Sequence, residues 1–264
     1  MPELPDVEKH RRTVAEHAQG RTVERIEVND PELLHGTTAQ GLGRSLVGRT
    51  VAEPRRHGKW LLVPFDTDGP TLLYHFRMTG ELVWVTDPTA DAAGGAVTLD
   101  LGNGQLVYRS RRRLGGVSYL RAGQEPQEVT GELGPDATTL DREQLGALLA
   151  GRRGGLKSAL LDQSLIAGLG NELVDEILWR SRLHPRRAAA GLGQQELDTC
   201  HEQLQDVLRR SIRAGHVPAA ADWLTGQRDA DDPRCPRCQA QLETDQVGGR
   251  TTLWCPQEQP ARQA

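Results

Sequence analysis

The apolar residues of this chain change period once, near Pro126, and that change restricts the fold to two unlike parts. Upstream they fall in short runs: Val23-Ile26-Val28, Leu61-Leu62-Val63, Leu72-Leu73-Tyr74, Leu82-Val83-Trp84-Val85, Val97-Leu99-Leu101 and Leu106-Val107-Tyr108. Short runs bounded by turn residues and rich in β-branched and aromatic side chains suit strands. Gly102-Asn103-Gly104 supplies a hairpin turn between the last two. One helix precedes them, with Asp6 as its expected N-cap, Val7, Val14 and Ala15 on its apolar side, and Gly20 as its stop. Six or seven strands after one helix predict a β-sandwich capped by a helix. Downstream the pattern is helical. Asp141 is expected to cap a helix through Leu149, and residues 156–166 and 172–179 form two more. A longer helix over 194–214 aligns Leu197, Leu204, Leu208 and Ile212 before Gly215 closes it.

The expected fold is therefore α+β and multidomain. An N-terminal helix-capped β-sandwich spans 1–125, a helical domain spans 126–225, and a small cysteine-bearing hairpin with its tail spans 226–264. A polar, acidic stretch over 226–233 reads as the linker into the last part. A length of 264 residues suits two domains and an appendage.

Charge and cysteines narrow the function classes. The formal net charge is −4, yet basic residues cluster at Arg11-Arg12, Arg55-Arg56-His57-Gly58-Lys59, 109–113, Arg152-Arg153 with Lys157, and Arg186-Arg187. Each cluster alone suits a solvated face; several lining one groove would hold phosphates. No run of eighteen apolar residues exists, which excludes a membrane-spanning helix, and the charged N-terminus lacks a secretory apolar core. The expectation is a cytoplasmic protein with no membrane partner. Cys200 lies in a helical stretch and reads as a buried thiol, whereas Cys235, Cys238 and Cys255 form C-x-x-C plus one, a metal pattern in such a compartment.

Two local features suggest chemistry. Met1-Pro2-Glu3 places proline second, so removal of the initiator methionine would free a secondary amine beside a carboxylate. Such an amine attacks an electrophilic carbon and forms an iminium, and Glu3 is near enough to exchange protons with it. Read alone, M-P-E is more readily a merely tolerated N-terminus. Gly168-Leu169-Gly170-Asn171, between two helices, allows a tight turn whose amides at the next helix start suit a phosphate. An ordinary interhelical turn with Asn171 as N-cap is the plainer reading.

Together these residues resemble a family. M-P-E-L-P-D-V-E at 1–8 with Arg11-Arg12, R-H-G-K-W-L-L at 56–62, H-F-R-M-T-G at 75–80, R-R-L-G at 112–115 and L-K-S-A-L-L-D-Q-S-L-I-A-G-L-G-N-E at 156–172 are similar to formamidopyrimidine-DNA glycosylases. The last segment resembles the helix–two-turn–helix element of that family and its endonuclease VIII relatives. Gly249-Arg250-Thr251 and the C-terminal cysteines extend the match.

The resemblance implies a monomeric, bacterial-type enzyme of base-excision repair acting on damaged double-stranded DNA. It would be a glycosylase and abasic-site lyase that cleaves the strand by β,δ-elimination. Pro2 is implied as the nucleophile on the sugar C1′, Glu3 as proton donor, Lys59 as the aid to β-elimination and Arg250 as the residue of δ-elimination and phosphate binding. Met78 and Arg112, with Leu114, are implied to fill the gap left by a rotated-out nucleotide. Arg113, Arg153, Lys157 and Asn171 are implied phosphate contacts, and a zinc-ribbon-like hairpin would hold one zinc.

Departures qualify the match. Leu114 stands where the family has phenylalanine, Ser110-Arg111 replaces Asp-Pro, and Gly94-Gly95-Ala96 lies where a histidine is common. The connection from Gly215 to Cys235, which carries the loop that closes over 8-oxoguanine, is shorter, so preference for that base is not expected. Cys235, Cys238 and Cys255 supply three zinc ligands and Glu258 stands at the fourth. Two other readings stay open: a relative that binds damaged or abasic DNA without catalysis, and a zinc-ribbon protein contacting RNA.

Overall fold

The protein is described by a computed structural model over residues 1–87 and 95–261; Gly94 of the expected departure lies outside the described residues. The chain divides into two compact units, Met1–Pro2 with Asp6–Glu132, and Glu3–Pro5 with Leu133 onward.

In the first unit, helix α1 (Leu4–His17) begins two residues before the expected cap. Pro5 fits the first turn, where no intrahelical N–H partner is needed. Asp6 thus sits inside that turn, favoured by the helix dipole, and does not cap it. Strand β1 (Arg25–Val28), β2 (Leu34–His35), helix α2 (Ala39–Leu46) and strands β3 (Arg55–His57), β4 (Trp60–Pro64), β5 (Thr71–His75), β6 (Gly80–Val85), β7 (Val97–Asp100), β8 (Gln105–Ser110) and β9 (Gly116–Leu120) follow. They form a four-stranded sheet, β1-β7-β8-β6, and a five-stranded sheet, β2-β9-β5-β4-β3.

The expected sandwich is present, with more strands than six or seven. β2, β3 and β9 escaped sequence reading because β2 is a pair of residues, β3 is Arg-Arg-His, and β9 carries Gly and Ser among its apolar residues. Helix α2 escaped because its two glycines lower helix propensity. It forms because the Thr38 hydroxyl accepts the Gly41 N–H at 3.1 Å and because Leu42 and Leu46 are buried. The core draws Leu61, Val63, Leu72 and Tyr74 from one sheet, Leu82, Leu99, Leu106 and Tyr108 from the other, and Val7 and Val14 from α1. Each such side chain contributes roughly 1.5–3 kcal/mol on burial.

The second unit is helical. After α3 (Gln127–Thr130), which closes the first unit, come α4 (Arg142–Ala150), α5 (Leu156–Leu161), α6 (Asn171–Arg180) and α7 (Gln194–Ala214). Asp141 caps α4 in a reciprocal box with Gln144, as its position predicts. Helix α5 stops short of the expected 166, because the Asp162 carboxylate accepts the Ser164 N–H and hydroxyl at 3.0 and 2.6 Å and turns the chain. Gly215 ends α7 at φ 76°, a left-handed conformation that favours glycine. Strands β10 (Glu243–Val247) and β11 (Arg250–Trp254) pair antiparallel as the terminal hairpin. Among the described residues no helix is long and apolar enough to cross a membrane.

Candidate active site and metal centre

Glu3 is buried and faces the start of α6. Its Oε1 accepts the Glu172 N–H at 2.9 Å and its Oε2 the Leu173 N–H at 3.1 Å. The N-cap of α6, Gly170, has no side chain to offer, so the carboxylate of Glu3 does the capping from far away in sequence. A Cβ on Gly170 would lie 2.1 Å from the Glu3 Cδ, and one on Gly168, at φ +112°, would lie 2.4 Å from Leu4 Cδ1. Glycine is needed here for close approach. The expectation that these amides hold a phosphate is corrected: at Glu172 and Leu173 the N–H groups already bond a carboxylate. Asn171 is the first residue of α6 and not its cap; its Nδ2 donates to the Thr251 carbonyl at 2.8 Å. Met1 is 45% exposed, so no core packing opposes its removal to free Pro2.

Lys59 follows Gly58, which turns the chain between β3 and β4 at φ 55°. Behind this turn Arg56 donates to the Gly58 carbonyl at 3.1 Å and lies 3.4 Å from the Glu8 carboxylate. Burial alone would raise the Glu8 pKa, but Arg11, Arg56 and Arg12 outweigh it and hold the carboxyl below its ordinary range. Next to the turn, His75 packs edge-on to Trp60 at 4.6 Å, and burial, then Arg77 and Lys59, push it down to about 4.

Met78 and Leu114 are 47% and 53% exposed, two of the four large hydrophobics left exposed among the described residues. The Arg112 guanidinium lies 3.7 Å from the Met78 sulfur, and the Arg112 N–H donates to the Thr79 hydroxyl at 3.0 Å. The turn before β6 and the turn after β8 thus bring Met78 and Arg112 together. Arg113 pairs with Asp30 and Glu32 at 2.6 and 2.8 Å, and Arg153 is exposed. Lys157 requires a correction. It is buried, and its ammonium donates to Asp175 Oδ1 at 2.5 Å and to the Thr252 hydroxyl at 2.6 Å. An ammonium so enclosed does not reach a phosphate.

Arg250 is exposed at the start of β11, after Gly248 and Gly249 at φ 60° and 70°. Two successive positive φ values make the tight hairpin turn that glycines permit. At the other end of the hairpin the sulfurs of Cys235, Cys238 and Cys255 lie within 4.8 Å of one another, with Cys238 and Cys255 3.5 Å apart. Tetrahedral zinc thiolates place sulfurs about 3.8 Å apart. The Glu258 N–H points at the Cys255 sulfur at 3.4 Å. The three cysteines form a metal-binding cluster that suits zinc.

Glu258 does not complete the cluster, which corrects the four-ligand expectation. Its Oε2 lies 3.2 Å from Arg182 and 3.6 Å from Arg237. Arg237 also covers the Trp179 ring at 4.3 Å and donates to the Trp179 carbonyl at the end of α6. With two guanidiniums beside it, the carboxylate is held by charge.

Sequence reading missed Asp175, Arg228 and Thr252. Asp175 carried a signal, being an acid set among Leu173, Val174, Ile177 and Leu178 on a helix. Burial at such a position demands a cationic partner.

A paired-sheet unit with a basic turn, joined to helices that hold Glu3 and end in a cysteine hairpin, defines the class of DNA glycosylases built around a helix–two-turn–helix element. Residues 1–117 match the formamidopyrimidine-DNA glycosylase N-terminal domain, and residues 133–220 match the H2TH domain of the same enzymes. The formamidopyrimidine-DNA glycosylase of Chloroflexus aurantiacus is 32% identical over 270 residues, covering 97% of this chain and 96% of that protein. Two crystal structures of the Lactococcus lactis enzyme, with DNA containing FAPY-dG and with DNA containing an abasic site, each align with a TM-score of 0.87 at 28% identity. Each alignment covers 98% of this chain and 100% of the other. The chain belongs to the formamidopyrimidine-DNA glycosylase family. It is an enzyme of glycosylase and lyase type, with a three-cysteine cluster where a full four-cysteine zinc finger would stand.

Proposed function

We propose that the trimmed chain removes oxidised bases from double-stranded DNA through its Pro2 amine and then cleaves the strand. The amine attacks C1′ as the damaged base departs, and loss of the amine proton leaves a neutral adduct that opens to a Schiff base. An N-terminal amine titrates at about 7.7–8.0, so a useful fraction is neutral near pH 7. Glu3 exchanges protons with the opening sugar ring. Lys59 assists β-elimination from the turn between β3 and β4, and Arg250 binds phosphate and promotes δ-elimination from the hairpin.

The observation that carries this reading is the fixed Glu3. Its carboxylate is locked to α6 by two N–H bonds, so the amine one residue before it is tethered at a defined point. Met78, Arg112 and Leu114 fill the duplex where the lesion has been rotated out, and Leu114 stacks less well than a phenylalanine. Arg153, Arg113 and the remaining Asn171 amide proton contact phosphates, Arg113 by exchanging its acidic partners. In the zinc-bound protein, the metal would fix the knuckle through the three cysteines.

The working division of labour follows residues 1–125, 126–225 and 226–264. The substrate is a formamidopyrimidine, an oxidised pyrimidine or an abasic site more readily than 8-oxoguanine, because the connection between α7 and Cys235 is short. The protein acts as a monomer in the cytoplasm, on chromosomal DNA.

Borohydride trapping tests the reading. Wild-type protein should form a covalent complex with a duplex carrying an abasic site, and Pro2→Gly should lose it by at least about a hundredfold. An undiminished band for Pro2→Gly refutes the mechanism. A retained Met1 by intact mass, with tight duplex binding and no trapping, would favour the non-catalytic binder.

A further inference from the structure

Three consecutive residues of the hairpin are held by the helices, and the middle one in turn holds the Arg250 carbonyl. The Asn171 amide takes the Thr251 carbonyl at 2.8 Å, and the Lys157 ammonium takes the Thr252 hydroxyl at 2.6 Å. That hydroxyl donates to the Arg250 carbonyl at 3.1 Å, and the Leu253 N–H reaches Asp175 Oδ2 at 3.3 Å. Asp175 is the centre of the cluster. Its Oδ1 accepts from Lys157 at 2.5 Å and its Oδ2 from Arg228 at 2.6 Å, while its own side chain is almost fully buried.

The chemistry makes Asp175 hard to replace. Lys157 is desolvated, which lowers its pKa, and Asp175 is the main opposing influence. The Lys157 nitrogen donates to Asp175 and to Thr252 at once, so Asp175 and the hairpin share one buried donor. Arg228 brings the connection after α7 into the same cluster. Strand β11 is therefore fixed by α5, α6 and that connection together, between the glycine turn and Cys255.

We propose that Asp175 is the positioning residue for Arg250. It touches no substrate; it fixes the strand from which Arg250 projects, and so governs δ-elimination while leaving the Pro2 step alone. The inference rests on the role given to Arg250 above. A cluster built only for stability would be indifferent to which elimination product forms.

The test uses the full-length protein on a duplex with a single abasic site. Asp175→Asn should trap with borohydride within about twofold of wild type, while the ratio of β,δ- to β-product falls about tenfold. Arg250→Ala should lower the ratio similarly, and Asp175→Asn with Arg250→Ala should lower it no further, because both act through one group. Should Asp175→Asn fail to fold, Arg228→Met carries the same cycle, since it leaves the Lys157–Asp175 pair in place. A folded variant with an unchanged ratio, an additive double variant, or trapping lost in parallel with δ-product would each overturn the proposal. Absence of trapping by wild-type protein would instead overturn the Pro2 mechanism.

Discussion

The two units bury their titratable groups by opposite means. In the sheet unit, His10 stacks against Phe76 at 4.4 Å with its Nδ1 on the Leu82 carbonyl, and His75 lies against Trp60. Burial foremost pushes both down to about 4, so both are neutral in the folded protein near pH 7. In the helical unit buried acids and bases are paired with one another: Lys157 and Arg228 on Asp175, and Arg180 on Glu176 at 2.7 Å. A neutral ring tolerates apolar neighbours with one hydrogen bond, whereas a buried charge demands a partner of opposite sign. The difference also separates two ways of presenting function. Met78 and Leu114 stand exposed on turns of the sheet unit, and Lys59 lies half-buried on another. Arg250 stands on a strand whose other side is anchored by buried charge.

The largest expected effect breaks the charged cluster. Asp175→Ala strands two cations and should cost about 3–5 kcal/mol in urea unfolding, and Asp175→Leu with Lys157→Met should recover much of that loss. Parallel losses in the single and double variants would show that packing, not charge, holds the hairpin.

Acid tests the neutral histidines. Their folded pKa of about 4 lies below the ordinary 6.5, so the stability they contribute is present above pH 6.5 and is lost as pH falls toward 4. The loss should approach about 3 kcal/mol for each ring across that window. His10→Gln should flatten the profile of urea midpoint against pH; an unchanged profile would count against neutral burial.

Gly170→Ala probes the link between Glu3 and α6. The added methyl meets the Glu3 carboxyl carbon at 2.1 Å, so one of them must move. A cost of about 2 kcal/mol is expected from the displaced cap and strain. The trapping rate should fall as well, because Pro2 moves with Glu3. The smallest effect on stability belongs to Lys59→Ala, within about 0.5 kcal/mol, although β-elimination should slow about tenfold. A large stability loss there would place Lys59 with the buried cations rather than on a functional turn.

Much of this was legible in the sequence. The change of period separated sheet from helices, Asp141 and Gly215 marked helix ends, and three cysteines marked the metal cluster. Those signals act over a few residues, so a linear reading recovers them. Lys157 looked like the other basic residues of its cluster, and only the approach of Asp175 and Thr252 turned it inward. Glu258 occupied a ligand position by spacing, yet Arg182 and Arg237 drew it away. The glycine turn looked open to phosphate until Glu3 supplied its carboxylate from the chain's start.

By itself the sequence determined the change from strands to helices, the proline at the second position and the family. These depend on local periodicity and on residues read in a row. Tertiary structure decided which charges face solvent and which face each other, because that choice depends on partners distant in sequence and on the cost of leaving any ion unpaired out of water.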